Sequence, residues 1–361
     1  MSGLRAWLAS IVVLTWFASA ARAEPYLALA QNLPCVACHV NPTGGGMRNA
    51  AGVAFAQYAL PAYRLPDALM GWTGGLGPYV RVGGDLRSDA TTTDVPGRNR
   101  QRVTGLQQWR LYGDLQLIPD RVGIYLDEQM GPGNRLVEER YLRLSTPGMG
   151  WYLKAGQFYL PFGWRLQDNQ AFVREVSGIG MTTPDRGVEL GLERDGWSAQ
   201  LVWSDGPGNQ GRVSGHQVTA QVVKVASWWR IGVATASTVS TAGNRRVDGL
   251  FGGLHLGPLV WFGEIDRVRD AGYPEGTRSL LAALGEVDWP FAPGFNLKLT
   301  GEYFDPDRHV AHDEKVRRSL VLEYAPLPFM QWRAGIRRYI GIPQNDIDNR
   351  KLAFVEWHLL F

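Results

Sequence analysis

The chain has 361 residues with 37 basic against 34 acidic side chains, a charged share of only 20%, and 44 glycines and 14 tryptophans. So even a charge balance gives no field that would attract nucleic acid. A single soluble domain of this size would need continuous apolar core segments, which are scarce here, and no internal repeat or low-complexity stretch replaces them.

In chain order, Arg5 precedes an apolar run that ends at Ala21-Arg22-Ala23. A basic start, a short apolar core and an Ala-x-Ala site read as a secretory signal peptide over residues 1–23, cleaved before Glu24. The alternative, a membrane-anchoring helix, needs a longer run. Export would permit disulfides, yet the chain holds only two cysteines, in Cys35-Val36-Ala37-Cys38-His39. Cys-x-x-Cys-His is the attachment pattern of haem c: two thiols at this spacing reach the two vinyl groups, and the adjacent imidazole coordinates the iron. A zinc half-site or a redox disulfide are the competing readings; the first lacks two close ligands, and the second leaves His39 without a role. The expectation is one covalently bound haem c on Cys35 and Cys38, with His39 proximal. Residues 47–60 predict a helix whose Val53, Ala56 and Leu60 could face the porphyrin. A sixth ligand is sought in Met70 first, then Met47, with His358 and His255 as further candidates that otherwise serve as polar lumen residues. Gly71, Gly74, Gly75, Gly77 and Pro78 close this segment. The domain division is therefore 1–23 signal peptide, 24–77 monohaem cytochrome c domain and 78–361 barrel.

From there on the sequence alternates. Trp109, Leu111, Leu115 and Leu117 interleave with Arg110, Tyr112, Asp114 and Gln116, and Met330, Trp332, Ala334 and Ile336 with Gln331, Arg333 and Arg337. Period two places the two sets on opposite faces of a strand. Sixteen such segments are predicted, at about 79–88, 105–118, 121–130, 136–146, 150–158, 185–194, 196–204, 213–225, 228–237, 247–257, 259–268, 277–290, 293–304, 314–325, 328–339 and 350–361. The fourth is the weakest, because Glu138, Glu139 and Arg140 are consecutive. Tight turns follow the even-numbered strands, and longer polar loops follow the odd ones, at 89–104, 159–184, 206–212, 239–246, 306–313 and 340–349. This sorting of loops by parity belongs to outer-membrane barrels, with the short turns periplasmic. The fold class expected is all-β: a 16-stranded antiparallel outer-membrane β-barrel with a small α-helical N-terminal c-type haem segment. The terminal Phe361, with Leu359, Trp357 and Val355 at steps of two before it, resembles the signal read by the barrel-assembly machinery.

Together these features resemble the fused outer-membrane monohaem cytochrome–porins, whose best-known members oxidise extracellular ferrous iron. The local likeness lies in 29–63: Pro34 before Cys35, Pro42 three after His39, and Gly52-Val53-Ala54-Phe55 as a Gly-x-x-Phe step. The stretch before Cys35 lacks the aromatic and basic residues of the iron oxidisers, and 41–46 is not their usual sequence. Separately, the stretch from Gly156 to Gly163 looks like a strand-to-loop step of anion-type porins. The resemblance implies single-electron transfer across the outer membrane of a Gram-negative bacterium, between an extracellular donor or acceptor, such as a metal ion or mineral, and periplasmic c-type cytochromes or other redox carriers. The haem segment would lie on the periplasmic side or in the lumen, and outer-membrane lipid would surround the barrel. The alternative is a passive solute porin whose haem domain regulates or docks; a haem peroxidase would need an open sixth position. In the loop 305–314, His309 and His312 stand among four carboxylates as a candidate external metal site, of a chemistry that does not select the metal.

Overall fold

The computed structural model describes residues 24–66, 70–206 and 215–360. The signal peptide expected at 1–23 and the terminal Phe361 lie outside the described residues. Sixteen strands follow one another: β1 (Val80–Asp94), β2 (Gln101–Ile118), β3 (Val122–Gly131), β4 (Leu136–Ser145), β5 (Trp151–Phe158), β6 (Asp185–Arg194), β7 (Trp197–Ser204) and β8 (Gly215–Val225). The second half is β9 (Trp229–Ser240), β10 (Gly243–Leu256), β11 (Leu259–Asp270), β12 (Arg278–Ala292), β13 (Phe295–Asp305), β14 (Lys315–Tyr324), β15 (Met330–Ile340) and β16 (Lys351–Leu360). Each pairs antiparallel with its neighbours, and β1 pairs with β16 from Asp85↔Leu360 to Asp94↔Lys351, so the sheet closes on itself and has no free edge.

Period-two alternation does the sorting. On β11, Trp261 and Ile265 face outward while Phe262, Glu264 and Asp266 face the bore. Leu, Val, Ile and Trp side chains repeat this outward exposure round the barrel, the surface a bilayer requires of strands whose backbone groups are all paired internally. The bore holds charged pairs beside a cluster of aromatic side chains that includes Tyr125, Tyr141, Phe158 and Trp164. Arg110 meets Asp127 (3.4 Å) and Glu138 (3.3 Å), Lys154 meets Glu189 (2.9 Å), Lys298 meets Glu286 (3.2 Å) and Arg333 meets Glu356 (3.2 Å).

The weakest predicted strand forms all the same. Opposite β4 the register slips between Asp127 and Glu128, so Glu138 is the extra residue of a bulge. Both Glu138 and Glu139 therefore turn inward, and Arg140 points out to Glu128 at 3.0 Å. The loop expected at 239–246 is corrected: β9 runs to Ser240 and β10 begins at Gly243, leaving Thr241 and Ala242 as a tight turn. Residues 89–104 shrink likewise to the connection between Asp94 and Gln101. Polar side chains end the apolar alternation there, but strands that rise beyond the membrane keep pairing, because water tolerates polar residues on both faces.

Two further helices escape the sequence reading. α1 (Pro25–Gln31) starts with proline in its first turn and stops at Asn32 in the left-handed region (φ 54°). α2 (Ala50–Tyr58) lies within the predicted 47–60, with Asn49 accepting from the Gly52 amide at 3.0 Å. α3 (Phe172–Ser177) belongs to the long loop 159–184.

That loop and residues 24–58 both lie inside the barrel. The Trp164 amide donates to Glu264 (2.9 Å), and Arg174 pairs with the same carboxylate, which anchors the loop on β11. The N-terminal segment crosses the bore. Glu24 pairs with Lys298 on β13 (2.9 Å), while at the other wall Asn41 donates to Glu139 (2.9 Å) and accepts from Lys154 (3.2 Å). Arg143 donates to the Val40 carbonyl (2.8 Å), and the Met47 amide to the Tyr125 hydroxyl (2.9 Å). The chain leaves at the short-turn end, where the Ala62 and Tyr63 amides donate to Ala325 and Pro326 in the β14–β15 turn (2.8 and 3.0 Å), before it enters β1.

Candidate functional site

Three short pieces bring Cys35, Cys38 and His39 together. α1 ends at Asn32, and Pro34 leads into a single 3₁₀ turn over Cys35–Ala37, where the His39 amide donates to the Cys35 carbonyl (3.0 Å). The chain then reverses at 41–46, so that His39 bridges Arg48 and the Val40 amide reaches the Met47 carbonyl (3.0 Å). Asn49 ties α2 to this loop: its side chain donates to the Val36 carbonyl and its amide to the Cys38 carbonyl, each at 3.0 Å. The approach is so close that a Cβ on Gly52 would stand 2.1 Å from the Cys38 carbonyl oxygen. Only glycine fits there.

Both cysteines are free thiols, half-buried, and line a cavity with His39. α1 supplies Leu27 and Ala28, α2 supplies Phe55, and the barrel supplies Trp164 and Arg165 from the inner loop and Arg230 from β9. Burial and then the neighbouring Arg48 lower the imidazole pKa of His39 to about 3, so the ring is neutral at physiological pH, and its Nδ1 has no hydrogen-bond partner. Burial raises the Cys38 thiol, with Arg48 acting against it. Arg165 is lowered by burial, and it donates to the Thr43 hydroxyl (3.1 Å) and the Tyr159 carbonyl (2.9 Å). Arg230 reaches the Cys35 Sγ (3.5 Å) and lies over the Trp164 ring (5.2 Å), while its Nε and Nη1 are buried without partners.

These residues fit a haem c. The two thiols and a neutral imidazole with an uncommitted nitrogen face a largely apolar cavity. The other candidate ligands lie elsewhere. Met47 is buried in the aromatic lumen core, and Met70 is buried outside the cavity lining. His358 faces the bore, as its parity implied, but is held by Asp85 (2.6 Å) and lies 3.5 Å from Gln331. His255 sits on β10 opposite Val260 and does not line the cavity. α2 presents Phe55 to it, whereas Val53 and Ala56 are buried without lining it. In the loop after β13, His309 lies 3.0 Å from Asp307, and among the described residues no three His, Cys, Asp or Glu side chains gather as a metal would need. Sequence reasoning missed Arg230, Trp164 and Arg165, for no local pattern distinguishes one lumen-facing arginine from the next.

No family profile and no curated protein matches the sequence. Among solved structures the chain is similar to the anion-selective porin of Comamonas acidovorans, at 12% identity and TM-score 0.61 over 78% of this chain and 99% of that one. It is similar to OprB of Pseudomonas putida at 10% identity and TM-score 0.62, covering 79% and 95%. It is similar to the outer membrane channel DcaP of Acinetobacter baumannii at 13% identity and TM-score 0.57, covering 80% and 100%. At such identities the likeness is one of fold, and the fold is that of the outer-membrane porins.

Proposed function

We propose that this chain is an outer-membrane barrel of porin type whose bore is closed by its own N-terminal segment, and that this segment carries a covalently bound haem c which passes single electrons between the two sides. The observation that carries the reading is the convergence of Cys35, Cys38 and the neutral His39 on one cavity inside the barrel. Bound there, a haem c supplies reversible one-electron exchange. The chain's own residues do the rest. Cys35 and Cys38 would hold the group covalently, and His39 would offer it the lone pair of a neutral ring. Leu27, Phe55 and Trp164 would keep water from the cavity, and Arg230 and Arg165 would place positive charge there to meet carboxylate substituents. Periplasmic c-type cytochromes on the short-turn side and a metal ion or mineral on the other, with ferrous iron as one donor, are the partners this reading implies.

A second reading, a passive solute porin with a regulatory or docking plug, draws its support from the comparisons, since the structural neighbours are a selective porin and a channel. One experiment separates the two. The purified protein is placed in liposomes, an impermeant redox reagent is added outside, and both haem absorbance and ion conductance are followed. Rapid reduction of a covalently bound haem with little conductance is the outcome expected. Steady conductance, with no haem retained after denaturation, would overturn the conduit and leave the porin.

A further inference from the structure

On the outer wall, β14, β15 and β16 place three cations side by side. Arg318 is the direct cross-strand partner of Arg338, and Arg338 of Lys351, and all three are exposed. None of the three side chains has an ion pair or hydrogen bond among the described residues; Asp94, opposite Lys351, is 3.6 Å from Arg100 instead. Like charges on directly opposed positions destabilise a sheet unless an anion lies between them.

The row's height on the barrel identifies where that anion comes from. Six residues nearer the short-turn end, the same three strands align Tyr324, Trp332 and Trp357 in one outward row. Between the aromatic and cationic rows lie only Leu322, Ala334 and Val355, then Leu320, Ile336 and Ala353. Such an aromatic row marks one membrane interface. Six residues at about 3.4 Å each, on a strand tilted by about 40°, put the cations about 15 Å farther along the membrane normal. The apolar band of such barrels is about 25 Å tall, so the long arginine and lysine stems must carry their charges up to the opposite headgroups. Val316 and Ile340 follow on the far side, so the row is embedded in the apolar wall rather than set among the loops.

We infer that Arg318, Arg338 and Lys351 form a binding site for the phosphorylated headgroup of a glycolipid in the leaflet at the long-loop end. The inference is independent of what the plug holds. Its test is native mass spectrometry of the full-length protein in detergent with a diphosphorylated hexa-acyl disaccharide lipid, its dephosphorylated form, and inorganic phosphate as competitor. The wild type should retain the phosphorylated lipid, and R318Q/R338Q/K351Q should weaken it about 100-fold, on the scale of one surface cation after another. R318K/R338K, which keeps the charges, should hold most of the affinity and confirm that an intact barrel is being compared. Equal retention by the triple glutamine variant, or equal binding of the dephosphorylated lipid, would overturn the site. Displacement by millimolar inorganic phosphate would overturn the lipid as its occupant.

Discussion

At the scale of residues, Gly52 and Arg230 expose the logic of the cavity. In a helix interior, alanine is ordinarily better than glycine by about 1 kcal/mol. At Gly52 that preference must lose, because the added methyl carbon would stand 2.1 Å from a backbone oxygen that cannot swing away. Gly52→Ala is expected to push α2 off the attachment loop, at a cost of about 1–3 kcal/mol, and to lower the covalently bound haem per barrel, read by haem staining after denaturation. An unchanged yield would show that the loop is not held by α2. Arg230 brings two buried, unpartnered nitrogens to the cavity wall. Removing that charge favours an oxidised, more positive iron, so Arg230→Ala is expected to lower the reduction potential of the bound haem and Arg230→Lys to restore most of it. A potential indifferent to both changes would place Arg230 in a purely structural role.

At the scale of elements, the strands were legible, whereas for the N-terminal segment the lumen was only one of two expected places. Period two fixes a strand by its own residues, which is why even β4, with three charges in a row, stands where the pattern puts it. Its bulge depends on a register slip against β3, and register is a property of two strands. Residues 239–246 read as a loop because Ser237, Thr238 and Ser240 break the apolar alternation, although above a membrane nothing prevents such residues from pairing. Neither the inward fold of 159–184 nor the path of 24–58 leaves a local trace, since Asn41 and Glu139, or Glu24 and Lys298, are far apart in sequence. The inner loop also carries a pH dependence. Burial pushes the carboxyl of Asp168 up, but Arg337 and Arg317, each 2.8 Å away, outweigh it and hold the pKa well below the carboxylate range. A depressed pKa contributes stability that is fully present above the unfolded value, near 4, and is lost as pH falls through the folded one. The loop should therefore stay anchored at neutral pH and loosen only below about pH 4, seen as rising conductance in planar bilayers. Asp168→Asn should show that rise already at neutral pH. Conductance that stays flat in acid for both proteins would detach Asp168 from the loop's position.

At the scale of the whole molecule, closure of the barrel and closure of its bore are separate achievements. All sixteen strands pair with both neighbours, and none of those pairings passes through residues 24–63. The segment contributes contacts to lumen side chains instead: Glu24 to Lys298, Asn41 to Glu139 and Lys154, and the Val40 backbone carbonyl to Arg143. Removing residues 24–63 would leave those lumen charges facing water, which solvates them at little cost, and would uncover the apolar side chains that Tyr26, Leu29, Val40 and Met47 cover, but it would leave the interstrand ladder that closes the barrel untouched. The truncated protein is therefore expected to keep the heat-modifiable mobility of a folded barrel in detergent gels. Its conductance should rise well above that of the full chain, limited then by the inner loop 159–184 and its anchor of Arg174 on Glu264. Loss of the folded gel form would mean that the segment is part of the barrel's stability. A truncated barrel that conducts no better than the intact one would mean that the inner loop alone closes the bore. In that case the segment's place in the lumen serves to seat its cavity against Trp164 and Arg230, rather than to block the passage of solutes.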